Sequence, residues 1–219
     1  MTRGFELVLG HNNTIGDFTY GVKSNATITR SRNKYVERAP DSNKYTNWRN
    51  NSNDRNKDLT WGYTMIGQFR DYEEILNSPV QDSNGNKSLL PGDFKYKDLN
   101  GDNIIDDNDQ CPIGNPIYPQ LTAGITAGFE YKGFDFSMLW AGSGKVSRFI
   151  SAGLRVPFGG GNYGLLQYMI DDHWTPETAE TAKTPRFSGA ANANNYTRNS
   201  TLWLKDASYI RLKNVQIGY

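Results

Sequence analysis

The chain has 219 residues, 37% of them apolar and 13% aromatic, with 22 glycines and a formal net charge of +1. So few apolar residues with so many rings does not suit a helical bundle; it suits sheet with one wet and one apolar face. The near-zero charge supplies no strong field for nucleic acid or an anionic surface, the single cysteine, Cys111, rules out an internal disulfide without excluding an oxidising compartment, and no run reaches the about 18 apolar residues of a spanning helix.

The first residues lack the long apolar core of a signal peptide. Phe5–Leu9 reads as a short strand, and Gly10–Gly16, rich in Asn and Gly, as a tight connection. Gly16–Arg30 then alternates. Phe18, Tyr20, Val22, Ala26 and Ile28 share one face, and Thr19, Gly21, Lys23, Asn25, Thr27 and Thr29 the other. That is long for a soluble strand, usually about 5–6 residues. Ala39–Thr60 is dominated by Asn, Asp, Lys and Arg, with Tyr45 and Trp48 embedded.

Residues 98–109 carry the sharpest motif. Asp98, Asn100, Asp102, Asp106 and Asp109 stand at positions 1, 3, 5, 9 and 12 of a calcium loop, with the Ile104 carbonyl at position 7. A hard cation needs six or more oxygens, and this spacing wraps them around one point. Ile104 is the apolar residue expected to tie the loop to its surroundings. Asn103 replaces the usual glycine at position 6, and Asn tolerates the left-handed backbone needed there. Asp109 replaces the usual Glu, so its carboxylate reaches less far. The flanks do not look like EF-hand helices, so the expectation is a structural calcium loop. The competing reading is an Asp/Asn turn held by its own hydrogen bonds.

Leu121–Tyr131 alternates cleanly, Lys132-Gly133 makes a two-residue turn, and Phe134, Phe136, Met138 and Trp140 return on the same face, giving a hairpin over Leu121–Gly142. Gly142–Leu202 is again long and polar, with a glycine tract at Gly159–Gly161 and a short helix expected over Leu165–Trp174. Tyr209–Tyr219 reads as a last strand, its odd positions on one face, with residue types switching near Asn214.

Long strands with tight turns at one end and long loops at the other are the asymmetry of outer-membrane barrels. Alternation alone fits a soluble sandwich equally well. Catalytic signatures are missing. His11, His173 and Cys111 form no constellation, and the adjacent pairs Glu73-Glu74 and Asp171-Asp172 diverge whether on strand or helix. Two distant carboxylates would leave a glycan-active enzyme open. Tyr35, Tyr45, Trp48, Tyr163 and Tyr196, set among amides, suit either sugar stacking or, preferably, loop packing and an interfacial girdle.

Three segments together resemble the SusC/RagA family of TonB-linked receptors. Pro91-Gly-Asp-Phe-Lys-Tyr-Lys-Asp-Leu-Asn-Gly-Asp102, running on to Ile113-Gly-Asn-Pro116, is similar to that family's acidic segment. Trp174-Thr-Pro-Glu177 followed by Pro185-Arg186 is similar to a loop of the family. Ser200-Thr-Leu-Trp-Leu-Lys-Asp-Ala-Ser-Tyr-Ile-Arg-Leu-Lys-Asn-Val-Gln-Ile-Gly-Tyr219 is similar to one of its strands. The resemblance implies an all-β fold, with residues 1–219 forming part of a large antiparallel transmembrane β-barrel of about 22 strands and a plugged lumen. It also implies outer-membrane location, contact with lipid, energy from the TonB system through a plug domain, a SusD-like surface lipoprotein as partner, and oligosaccharide or peptide cargo. No nucleic acid and no catalytic residue are implied. Six or seven strands are too few to close such a barrel, so further strands are expected outside these residues. Residues 98–109 become an extracellular element, with calcium there a hypothesis. The alternative is a soluble, calcium-stabilised β-sandwich that binds glycan, which would need a second apolar layer over the first.

Overall fold

The computed structural model describes residues 1–158, 164–188 and 192–219. The expected glycine tract and Tyr163 lie outside them. In chain order the strands are β1 (Thr2–Ile15), β2 (Phe18–Ser31), β3 (Trp61–Tyr63), β4 (Met65–Gln68), β5 (Phe94–Tyr96), β6 (Gln110–Pro112), β7 (Leu121–Tyr131), β8 (Phe134–Gly144), β9 (Ser147–Phe149), β10 (Leu204–Asp206) and β11 (Tyr209–Gly218). Among the described residues, four short α-helices punctuate the long connections, α1 (Lys44–Asn50), α2 (Tyr72–Leu76), α3 (Gln167–Asp171) and α4 (Ala193–Tyr196), with 3-10 turns at Asp107–Asp109 and Ala152–Leu154.

The five long strands form one antiparallel sheet in the order β1-β2-β7-β8-β11. It does not close, and β1 and β11 are open edges among the described residues. The first strand is longer than its residues suggested. It pairs with β2 along its whole length, from Thr2 opposite Ser31 to Ile15 opposite Phe18, so only Gly16-Asp17 turns the chain. His11, Asn12 and Asn13 read as connection because they are polar, yet a strand in a two-faced sheet needs partners for its backbone and not apolar side chains. The β7–β8 hairpin turns at Lys132-Gly133, both at positive φ (48° and 89°), which two-residue turns between twisted strands require.

Register puts the apolar residues on a common face. Val22, Ala127 and Met138 follow one another across three strands, as do Tyr20, Phe129 and Phe136. Behind them, Lys23 faces Thr126, Asn25 faces Gly124 and Thr27 faces Thr122. The last strand corrects its expected pattern. A bulge between Leu212 and Asn214 leaves Lys213 without a register partner. Before it, Ile210 and Leu212 lie opposite Gly142 and Trp140; after it, Val215 and Ile217 lie opposite Met138 and Phe136. One extra residue shifts the side-chain parity, so the apolar residues stay on one face although their numbers change from even to odd.

That apolar face is bare. Phe5, Leu9, Ile125, Phe129, Trp140 and Ile217 are all exposed. The hydrophobic core lies elsewhere, so no second sheet covers this face among the described residues, and the sandwich arrangement fails. Rings gather at the turn end, with Phe18–Phe129 centroids 5.6 Å apart, Phe129–Phe136 5.4 Å and Phe134–Tyr219 4.5 Å.

The core sits at the opposite end. Residues 32–120 connect β2 to β7, and residues 145–208 connect β8 to β11, so both long segments leave and rejoin the sheet on the side away from the turns. They fold on each other. Strand β3 pairs with β6, β4 with β5, and β9 with β10. Tyr63, Phe94, Tyr96, Ile105, Tyr196 and Trp203 are buried together, drawn from both segments. The helix expected over Leu165–Trp174 is confined to Gln167–Asp171; Leu166 has no side-chain acceptor to cap it, and Thr184 claims the Trp174 N–H instead.

Candidate functional site

One densely bonded point of the loop domain is Asp93, which is fully buried. The Arg186 guanidinium lies 2.8 Å from one carboxylate oxygen, and the Asn195 amide donates to that oxygen over 2.8 Å. The Leu90 N–H donates to the other over 2.9 Å. Gly92, just before it, has φ 90° and lies against the Trp174 ring, so close that any added Cβ would come within about 2.5 Å of the ring. The Arg186 N–H then donates to the Gly92 carbonyl. Segments far apart in sequence are thereby locked together by one glycine and by one ion pair in which the carboxylate is buried and the guanidinium partly exposed.

The neighbouring strand β5 is completed by side chains. Asn195 accepts from the Phe94 N–H at 3.0 Å, while Gln81 and Asn194 donate to the Phe94 carbonyl at 2.6 and 2.9 Å. Buried amides replace the missing neighbour strand, which satisfies backbone groups that would otherwise be stranded away from water. Trp203 closes the group by donating its indole N–H to the Asn195 carbonyl.

Beside these amides opens a polar cleft of about 670 Å³, with Gln81, Asp82, Ser88, Arg186, Asn194 and Arg198 among its walls. Its rim is shaped by Asp82, which accepts from the N–H groups of Asn84, Asn86 and Ser88 and from the Ser88 hydroxyl. Burial opposes the Asp82 charge, but these donors outweigh it and hold the carboxyl below the usual range. Arg198 donates to the Gln81 carbonyl at 2.7 Å and lies 5.0 Å from the Tyr63 ring centre. Its charge is thereby fixed in place.

The acidic loop runs from the end of β5 to β6. Asp98 accepts from the N–H groups of Gly101 and Asn103, Asn100 from Asp102, Asp102 from Ile104, and Asp106 from Asn108. Asp109 is buried and accepts from Leu99 and Asp106. Burial pushes its carboxyl up, and the charge of Asp98 adds to this. Asn103 adopts the left-handed backbone expected of it, with φ 62°. The anchoring residue is Ile105 rather than Ile104. Ile105 is in the core and Ile104 is exposed, because adjacent residues of an extended segment point opposite ways. Among the described residues, no three His, Cys, Asp or Glu side chains converge as a metal site. Each carboxylate nevertheless keeps lone pairs beyond those used by the loop.

No family model matches the chain. Curated relatives do. TonB-dependent receptor P26 of Formosa agariphila is 30% identical over 72% of this chain and 15% of its own length. TonB-dependent receptor P3 of the same organism is 27% identical over 99% of this chain and 21% of its own length. The solved RagAB peptide transporter superposes with a TM-score of 0.67 over 98% of this chain and 22% of that one, at 14% identity. The RagAB importer in its closed-closed state does so at 0.65. The chain is a segment of a TonB-dependent receptor, with the fold of the matching part of the RagAB transporter. It spans about a fifth or less of the curated relatives it matches.

Within this receptor segment the recurrent motifs acquire physical reasons. Pro91-Gly-Asp93, Trp174 and Pro185-Arg186 meet around Asp93. Ile113 donates to the Thr60 carbonyl and Asn115 to the Ser147 hydroxyl, fixing the return to β7. Of the aromatics considered for sugar stacking, Tyr196 is core and Tyr45 and Trp48 pack with Trp61 and two arginines, while Tyr35 is exposed. His173, two residues past α3, stacks on Phe187 with ring centroids 4.3 Å apart. Glu74 is bound to Lys95 and the Arg70 N–H. Sequence reasoning missed Asp93, Gln81, Asn194, Asn195 and Arg186 as a unit. The available signal was Pro91-Gly-Asp93 and Pro185-Arg186 recurring in the resemblance without a calcium or strand role.

Proposed function

We propose that this segment forms part of the wall and outer loops of an outer-membrane barrel that imports oligosaccharides or peptides with energy from the TonB system. The observation that carries this is the bare apolar face of five long strands backed by a polar face, with a folded loop domain at one end only. In lipid the apolar face needs no cover, and closure by further strands of the longer protein satisfies the edges. The polar face then borders the passage, and the loop domain stands where a SusD-like surface lipoprotein would close over it. TonB acts through a plug elsewhere in that protein, and passage involves no covalent step. The cleft's amides, hydroxyls and arginines suit hydroxyl-rich and amide-rich cargo alike, so both cargo classes belong to the reading.

Uptake by cells carrying the full-length receptor tests it. Labelled oligosaccharide or peptide should enter only when both receptor and TonB are active. Entry that persists without TonB sinks the energised-import reading.

A second part of the proposal is a structural calcium ion at the acidic loop, held by Asp98, Asn100, Asp102, the Ile104 carbonyl, Asp106 and Asp109. Its support is the ligand spacing and the spare lone pairs; its rival is the self-bonded turn. Calcium should raise the unfolding temperature of the full-length receptor's outer domain, and Asp102→Asn should abolish the rise. A flat titration would leave the turn standing alone.

A further inference from the structure

The net charge of +1 hides a local concentration of cations at the loop end of the first hairpin. Arg3 of β1 and Arg30 of β2 are directly opposite each other in the register. They continue the row that includes Phe5 opposite Ile28, so they lie on the apolar face. Arg32 and Lys34 follow, and together with Arg3, Arg30 and Met1 they line a cleft of about 200 Å³. Like charges directly opposite on a sheet repel. Among the described residues, Arg3, Arg30 and Arg32 have no carboxylate within 4.0 Å, and only Lys34 has one, the exposed Asp54 at 2.9 Å. Arg32 donates instead to the Asn56 amide oxygen. Among the described residues the cluster therefore has no carboxylate but the exposed Asp54, and its position specifies which kind of anion would fit.

We propose that this cleft binds the phosphorylated headgroup of a membrane lipid. The inference rests on the reading of the apolar face as lipid-facing. On that reading the level of Arg3 and Arg30 is where the hydrocarbon layer ends and headgroups begin, since Phe5 and Ile28 are the next residues toward the sheet centre. Guanidinium pairs match phosphate geometry in two-pronged hydrogen bonds. Acyl chains of the same lipid would lie on the Phe5–Ile28 side. A free phosphate could meet the same guanidinium groups but would gain nothing from the adjoining apolar residues.

The test uses the full-length receptor in detergent and follows binding of a diphosphorylated lipid, its dephosphorylated counterpart and inorganic phosphate by native mass spectrometry. The double variant Arg3→Gln/Arg30→Gln should bind the phosphorylated lipid about thirtyfold more weakly, from roughly fivefold per basic residue near an anionic surface. The double variant Arg3→Lys/Arg30→Lys should fall between wild type and the Gln variant, since it keeps the charge but loses the two-pronged hydrogen bonds. Equal lipid binding by wild type and the Gln variant overturns the proposal, as does a Lys variant no better than the Gln variant. Inorganic phosphate that competes as well as the lipid assigns the cluster to a free anion and overturns the lipid source. A receptor that is monomeric in buffer without detergent would remove the barrel reading itself, which the three lipid outcomes leave intact.

Discussion

The sheet and the loop domain solve the burial problem in opposite ways. In the sheet, long strands satisfy one another's backbones while their side chains stay uncovered. In the loop domain, strands of three or four residues cannot do that, and buried Asn and Gln side chains supply the missing partners around a core of rings. The first design suits a surface that lipid completes. The second is that of a water-soluble domain, built from two connections of the same barrel segment. The two regions should therefore fail separately.

Asp93→Ala should show this most strongly. It leaves the buried Asn195 and the partly exposed Arg186 without their shared acceptor; breaking a buried pair costs about 3–5 kcal/mol, and the exposure of Arg186 puts this one at the lower end. Limited proteolysis of the full-length receptor in detergent should open residues 32–120 and 145–208, while the barrel keeps its resistance to unfolding in cold SDS. Simultaneous loss of both would show that the sheet depends on the loop domain.

The converse change is on the sheet. Ile125 lies in the row with Ser24 and Trp140, on the apolar face, and Thr126 with Lys23 and Leu139 on the other. Ile125→Lys should cost about 2–4 kcal/mol when the receptor folds into bilayers, the range for a lipid-facing cation near mid-membrane. Thr126→Lys should cost much less. Equal penalties would mean that the faces are assigned wrongly. Neither variant should change protease sensitivity in the loop domain.

The same contrast explains what was legible in the sequence. The alternation of Phe18–Ile28 and Leu121–Tyr131 revealed strands and faces, because period two is a local property. The switch near Asn214 was visible as a fault in that alternation, and the bulge at Lys213 is its cause. The full length of β1 was not visible, because His11–Thr14 are paired by register and not by side-chain type. The Asp93 cluster was hidden for another reason. Its members come from residues 81, 93, 186, 194 and 195, brought together only by the tertiary fold. No spacing rule links them, whereas the acidic loop is contiguous and so was seen at once.

The smallest expected effect concerns the rim of the cleft. Asp82 has a folded-state carboxyl held below its unfolded value by donors from Asn84, Asn86 and Ser88, against the cost of burial. A depressed carboxyl contributes stability above the unfolded value and loses it as pH falls through the folded one. Protection of the Asn84, Asn86 and Ser88 amides from hydrogen exchange, taken relative to the intrinsic rate at each pH, should accordingly stay high at neutral pH and fall below the ordinary carboxylate range, around pH 4. Asp82→Asn should remove most of that pH dependence and raise the neutral-pH rates, because an amide retains only one acceptor oxygen for a turn that uses two. The sheet amides of β7, paired on both sides, should show no matching transition in this window. An Asn variant with the wild-type pH profile would mean that the rim is held by packing and not by the carboxylate.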